Sequence, residues 1–370
     1  MKDPASTSGA ATGSRGRIEA IDFARGLAVA LMILSHGVNG IMDFSQMPAW
    51  GLVPIHLVTK FSSTLFILVF GIALAVAFLP YAGTAQWPAR RNKLLVRGLV
   101  VFFWYKVLTV VEMMHLHEPE DIVEALRYGA FPSYVEILGF YAIALLWVPW
   151  VLPWWKRSAL WLQLAVPVVM AGLAYGLYQS FHFWESEILQ AILVEHEGHY
   201  AWGQLARGPL IFVGLLIGQW VALAYREPRG RQVLAACFGG GAMVLLFLFA
   251  WQVVPDMSGA LDAIARNEGK HPPELLFMLF SLGGACALLG LTFLGGERLA
   301  RGLRPITVIG SNALQAFIFH IAVIFIVFRY LLGYWHDVSY GFALTLAILL
   351  IPATALWIKT YHLVQGVQSK

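Results

Sequence analysis

Three side chains on one apolar segment near the N-terminus set the chemical question for this chain: Asp22, Arg25 and His36. Ionisable groups inside hydrocarbon are costly, so a functional site is the default reading for them. On a helix rising about 1.5 Å per residue, Arg25 and His36 stand roughly 16 Å apart. One group is therefore near a membrane face and the other well across the bilayer. Asp22 precedes Arg25 by three residues, the spacing of an intrahelical ion pair. A guanidinium held in this way remains a good phosphate ligand. A neutral imidazole at His36 can take a proton from a hydroxyl or amine, because it titrates near neutrality. The spacing asks which molecule could touch both.

Other ionisable groups fall at related depths. His36 and His320 each lie about fourteen residues into their apolar segments, roughly 20 Å from the same face. Lys106, Glu112 and Glu136 reach mid to outer depth on the third and fourth segments. Five such groups on four helices point to a shared polar cavity, in which Glu136 or His320 could orient His36 or stabilise its imidazolium. Each histidine alone is equally compatible with a core residue bonded to a carbonyl between helices. Arg90, Arg91, Lys93 and Arg97 form a basic cluster that serves either as a topology signal or as a mouth for an anionic cosubstrate. On the opposite face, Gly269-Lys-His-Pro-Pro-Glu274 runs into a helix start, where proline is favoured. That puts Lys270, His271 and Glu274 where an acceptor would enter, although a plain turn gives the same pattern. Glu195-His-Glu-Gly-His199 lacks the i, i+4 histidine pair of a helical zinc site and reads as a hydrated loop, so no metal is expected.

These residues must be carried by membrane helices. Hydrophobic residues make up 59% of the 370 and charged residues 12%, against about 25% charged in an ordinary soluble domain. Ten apolar stretches of bilayer length recur near 22–42, 61–80, 94–114, 134–153, 159–178, 208–225, 233–254, 274–295, 306–331 and 339–360. Every second loop is basic: Arg90, Arg91 and Lys93, then Lys156 and Arg157, Arg226 to Arg231, Arg298 to Arg304, and Lys359. The alternate loops carry acids such as Glu118, Asp121, Glu185, Glu197 and Asp256. With Lys2, Arg15 and Arg17 in the N-terminal tail, the asymmetry predicts both termini in the cytoplasm. The fold class expected is therefore all-α and polytopic. Residues 1–16 read as a disordered cytoplasmic tail and 17–365 as one transmembrane domain. The first span is too long and too polar for a cleaved signal peptide. The net charge of +4 is spread over loops and implies no nucleic-acid partner. Cys237 and Cys286 fall inside predicted spans, so no disulfide is expected.

Asp22-x-x-Arg25-Gly26 with His36 resembles the first helix of the transmembrane acyltransferase superfamily, which includes the acyltransferase-3 proteins and the heparan-α-glucosaminide N-acetyltransferases. Ser133-Tyr-Val-Glu136-Ile-Leu-Gly-Phe-Tyr141 resembles a serine–glutamate–aromatic segment of the former. Lys270-His-Pro-Pro273 is similar to a Lys-aromatic-Pro-Pro stretch of related bacterial multispan proteins. Gly310-Ser-Asn312 through His320 resembles the family's late Gly-x-Asn-x-Leu…His helix. The resemblance implies acyl transfer across the membrane from cytosolic acyl-CoA, usually acetyl-CoA, to an extracytoplasmic carbohydrate or glycolipid acceptor. It implies His36 as the catalytic residue, either as general base or as a nucleophile that carries the acyl group, with Glu136 and His320 beside it. Arg25, Arg90, Arg91, Lys93, Arg97 and Asn312 would hold the donor, and the protein would sit in a bacterial inner membrane, as a monomer or a homo-oligomer. The heparan enzymes carry Asn at the position of His36 and their key histidine eleven residues later, which is Met47 here. The acyltransferase-3 arrangement is therefore the better guide, and the glucosamine substrate does not carry over. A proton-coupled transporter or a glycan or lipid translocator is the competing class. No inverted repeat or matched pair of broken helices supports it.

Overall fold

In hydrocarbon every backbone N–H and C=O must be satisfied within its own segment, so long apolar runs close into helices. A computed structural model describes residues 18–368. The expected tail 1–16, with Lys2 and Arg15, lies outside the described residues, as do Arg17 and Lys370. Among the described residues, ten helices are long and apolar enough to cross a membrane. They are α1 (Glu19–Asn39), α2 (Ala49–Ala77), α3 (Trp87–Met113), α4 (Glu136–Arg157), α5 (Leu160–Ser180), α6 (Gln204–Ala224), α7 (Pro228–Ala265), α8 (Leu275–Gly302), α9 (Ala313–Leu331) and α10 (Tyr340–Gly366). The described residues form no strand beyond one isolated bridge between His196 and His199. Both cysteines are free.

Three boundaries differ from the hydropathy reading. α2 begins at Ala49 rather than near 61, through a π-turn at Leu52–His56 and a loosened turn at Lys60. α7 continues to Ala265 through a tightened turn at Val254–Asp256. The ninth apolar stretch is broken, because Asn312 leaves the helical region (φ −128°, ψ 43°). Its side-chain amide donates to the Val308 carbonyl at 3.0 Å, which ends the short helix Arg304–Ser311 before α9 starts. Hydropathy does not register this break because the residues on both sides are apolar.

α1 is central and packs against α2, α8, α9, α10 and the short helix Arg304–Ser311. Its buried face includes Ala20, Ala24, Ala28, Val29, Met32 and Ile33. α5 and α7 are peripheral and expose Trp161, Val168, Val169, Phe247 and Trp251. Such faces cost nothing against lipid tails as apolar as themselves.

The tightest approach joins two of the segments singled out from sequence. A Cβ on Gly26 would lie 1.9 Å from the Ile306 carbonyl oxygen, and one on Gly310 would lie 1.8 Å from that of Asp22. Small residues let helix backbones meet in this way. The contact lets an Arg25 Nη1 donate to the Gly310 carbonyl at 3.2 Å. Gly310→Ala cannot be absorbed by a flexible side chain, since the clash is with backbone. Overpacking of this kind costs roughly 1–3 kcal/mol. The variant is expected to melt several degrees below wild type in detergent, and an unchanged melting midpoint would contradict the contact.

Candidate active site

α1 presents His36 and α9 presents His320, and packing of the two helices brings His36 Nδ1 within 3.2 Å of His320 Nε2. The hydrogen-bond chain fixes the tautomers. His320 Nδ1 lies 2.8 Å from the Ala316 carbonyl oxygen, which can only accept, so that nitrogen carries the proton. In a neutral ring Nε2 is then bare and accepts the His36 Nδ1–H. His36 Nε2 is left as the unprotonated nitrogen. His320 is fully buried, whereas His36 is half-buried and lines a cavity.

Two aromatic rings wedge the imidazole. Tyr134 meets it edge-on with centroids 5.4 Å apart, and Phe317 does so at 6.0 Å. Tyr134 is itself pinned twice. Its hydroxyl donates to the Asn39 carbonyl at 2.5 Å. The carboxylate of Glu112 accepts the successive N–H groups of Ser133 at 2.6 Å, Tyr134 at 3.1 Å and Val135 at 3.1 Å. Glu112 thus holds the loop over His36 without entering the cavity. Glu136 is buried at the start of α4 and accepts from the Tyr105 hydroxyl at 2.6 Å. It lines neither cavity described below. Lys106 donates to the Ala125 carbonyl at 3.2 Å and lies over the Tyr128 ring. Of the five ionisable groups matched in depth, the structure joins only the two histidines.

Two cavities lie near this pair. The first, about 190 Å³, is walled by apolar residues such as Phe66, Phe70, Leu138 and Phe317 and carries Arg25 and Arg97. Arg97 is exposed as well as lining, which marks the cavity's mouth. Arg25 is paired with Asp22 at 3.5 Å, the ion pair expected from their spacing. Phe317, on the first cavity's wall, stands against His36 on the second's. The remaining donor-side candidates line neither cavity. Arg90 stacks over Tyr81 and Arg91 over Trp150, with guanidinium carbons 4.3 and 4.2 Å from the ring centroids. Lys93 is exposed, and Asn312 accepts from His362 Nε2 at 2.9 Å.

The second cavity is small and polar and is lined by His36, Ser35, Lys60, Ser63, Tyr200 and Lys270 among others. Lys60 enters from the loosened turn of α2 and donates to Asn267 Oδ1 at 2.8 Å. Lys270 donates to the Tyr200 hydroxyl at 2.6 Å. Behind it lies a fully buried ion pair, Arg207 Nε to Glu195 Oε1 at 2.7 Å. His271 Nδ1 lies 2.8 Å from the other Glu195 oxygen, and Arg207 also donates to the Lys270 carbonyl. Burial alone would push the Glu195 carboxyl up, but Arg207 and His271 outweigh it and hold it below the ordinary value. Burial, and then the Arg207 charge, push Lys270 down to about 7. Burial brings His271 down to about 4. Of the three residues expected at the acceptor entrance, Lys270 lines the cavity, His271 supports it from behind, and Glu274 is exposed and lines neither cavity.

Glu195 corrects the hydrated-loop reading of residues 195–199, since it is completely buried against Arg207. Lys60, Glu195, Arg207, Tyr134, Tyr200 and Phe317 are the site residues that sequence reasoning missed. The available signal was an ionisable residue at the margin of an apolar run, as at Lys60 and Arg207. Among the described residues, one group of potential metal ligands has its atoms within 4.8 Å of one another: Glu187, His196 and His199. None of the three lines either cavity. Met47, at the position of the heparan enzymes' histidine, is buried among apolar residues.

Two families match the sequence. Residues 17–195 match heparan-alpha-glucosaminide N-acetyltransferase, catalytic. Residues 111–363, more than half of the chain, match the OpgC protein family. No curated protein matches the chain.

Proposed function

The chain belongs to the acyltransferase-3 (transmembrane acyltransferase) superfamily, and from that premise we propose that it passes an acyl group from cytosolic acyl-CoA to a carbohydrate-like acceptor beside His36. The observation that carries this reading is that two unlike cavities lie on either side of the contact between Phe317 and His36. The first is apolar and carries Arg25 and Arg97, and the second is polar and carries His36, Lys60 and Lys270. Ten crossings return the chain to the side where it started, and the excess of Lys and Arg in alternate loops makes that side the cytosol.

On this reading Arg25 and Arg97 neutralise the donor's phosphates, and the apolar wall beyond them suits the uncharged pantetheine arm, whose thioester reaches Phe317 and His36. His36 Nε2 takes the proton from the acceptor hydroxyl or amine as that atom attacks the thioester carbon. The carbon–sulfur bond breaks, and the imidazolium returns the proton to the departing thiolate. Acceptance of the Nδ1–H by His320 stabilises the imidazolium between these steps. Ser35 and Ser63 line the same cavity and supply donors for the oxyanion.

Purified protein in detergent is expected to release free thiol from acetyl-CoA when acceptor is present. Arg97→Gln should raise KM for acetyl-CoA about tenfold with kcat within about twofold, since it removes charge-assisted binding shared by ground and transition states. An unchanged KM would mean that the first cavity is not the donor's path.

A further inference from the structure

We propose that the acceptor carries an anionic group, a carboxylate or phosphate, held between Lys60 and Lys270 while its nucleophile meets His36. The proposal rests on the acyltransferase reading above and adds the chemical class of the acceptor. The cavity lining contains Lys60, Lys270 and His36 and no aspartate or glutamate. Lys60 is 3% exposed, and among the described residues its ammonium meets the Asn267 Oδ1 at 2.8 Å and the Phe44 ring at 5.5 Å, both neutral. The Lys270 ammonium has the Tyr200 hydroxyl at 2.6 Å and the rings of Tyr200 and Trp202 within 5.5 Å.

Each ammonium has three protons to donate, and one neutral oxygen apiece leaves donors directed at the cavity. The neighbouring carboxylate does not answer them, because both Glu195 oxygens are engaged by Arg207 and His271. Arg207 is taken up by the same pairing and by the Lys270 carbonyl, so that pair leaves no counter-charge for the lysines. Buried charges without partners are costly, so such groups are normally paired. A cavity that gathers two ammonium groups without a counter-ion is complete only when its ligand supplies one. The depressed Lys270 ammonium agrees, since a nearby anion would restore its charge. The serine and threonine hydroxyls of Thr59, Ser62 and Ser63 in the same lining suit the hydroxyls of an acidic saccharide. The acceptor must pass these lysines to reach His36 Nε2, whereas the donor approaches along the apolar cavity.

The test is isothermal titration of the full-length protein in detergent, without acyl-CoA, using glucose, glucuronate and glucose 6-phosphate. Wild type is expected to bind at least one of the two acids tenfold or more tighter than glucose. Lys270→Gln and Lys60→Gln should each reduce the preference below threefold, and Lys270→Arg should retain it. If Lys60→Gln fails to fold, by its melting midpoint, Lys270→Gln on the loop decides alone. Equal affinity for all three sugars, or a preference that survives Lys270→Gln, overturns the proposal. So does finding no acid preference while glutaryl-CoA is consumed faster than acetyl-CoA in a Lys270-dependent way, which would assign the anion to the acyl tail. Titration needs no turnover, so failure of acyl transfer and failure of anion binding are read separately.

Discussion

His36→Ala is expected to lower kcat for acyl transfer by a factor of about a thousand while leaving the protein folded. General-base catalysis contributes roughly 10²–10⁴ in rate, and His36 Nε2 is the one bare ring nitrogen that the His36–His320 hydrogen-bond chain leaves facing the polar cavity. The substitution leaves the buried His320 Nε2 without its donor but no buried unpaired charge, so the cost should stay within about 1–3 kcal/mol and the protein should still fold. KM for acetyl-CoA should hold, because the arginines lie along a separate wall. His320 touches His36 and is a positioning residue. His320→Leu should lower kcat about a hundredfold without moving KM, and His320→Gln, which keeps an acceptor for the Nδ1–H, should recover part of it. Full activity in His36→Ala would refute the mechanism. Equal losses in His320→Leu and His320→Gln would make that residue's role one of packing.

The second large effect lies in stability. Glu195→Gln is expected to destabilise the protein by about 3–5 kcal/mol, the usual cost of removing one partner from a buried pair. The loss leaves Arg207, 1% exposed, with an uncompensated charge and takes away the carboxylate next to His271. Residues 195–203 and 266–274 would lose their shared anchor, so Lys270 should also lose its position and acceptor binding should weaken. The pH dependence follows from the depressed carboxyl. The ion pair's contribution is present above the ordinary carboxylate pKa of 4.5 and is lost as pH falls through the lower folded value. Wild type should therefore lose melting temperature toward acid more steeply than Glu195→Gln. Parallel curves, or an unshifted midpoint in the variant at neutral pH, would contradict the role given to the pair.

How much of this was legible in the sequence depends on whether a property is local. The ten spans and the Asp22–Arg25 pair follow from hydropathy and from i, i+3 spacing, and the proposal of a site at His36 starts from the cost of charge in hydrocarbon. The break at Asn312 was hidden, because what decides it is a side-chain hydrogen bond to Val308 and the approach of Gly310 to Asp22. Glu195 was misread for a related reason. A run of acids and histidines looks hydrated until an arginine twelve positions later is folded onto one of them.

Counting residues along a helix gives relative depth, and it put His36 and His320 level with one another, as their hydrogen bond requires. It gives neither the direction in which a side chain points nor the neighbour it meets. Glu136 and Lys106 were assigned depths comparable to the histidines, but packing turns them to Tyr105 and to the Ala125 carbonyl instead. By itself the sequence determined the class, the span count and the Asp22–Arg25 pair, since these depend on apolar runs and short spacings. Only the tertiary structure decided that two histidines 284 positions apart share a hydrogen bond, and that Lys60 and Lys270 face one cavity. Those pairings come from the rotation and packing of whole helices, a sum over many distant contacts that no local pattern encodes.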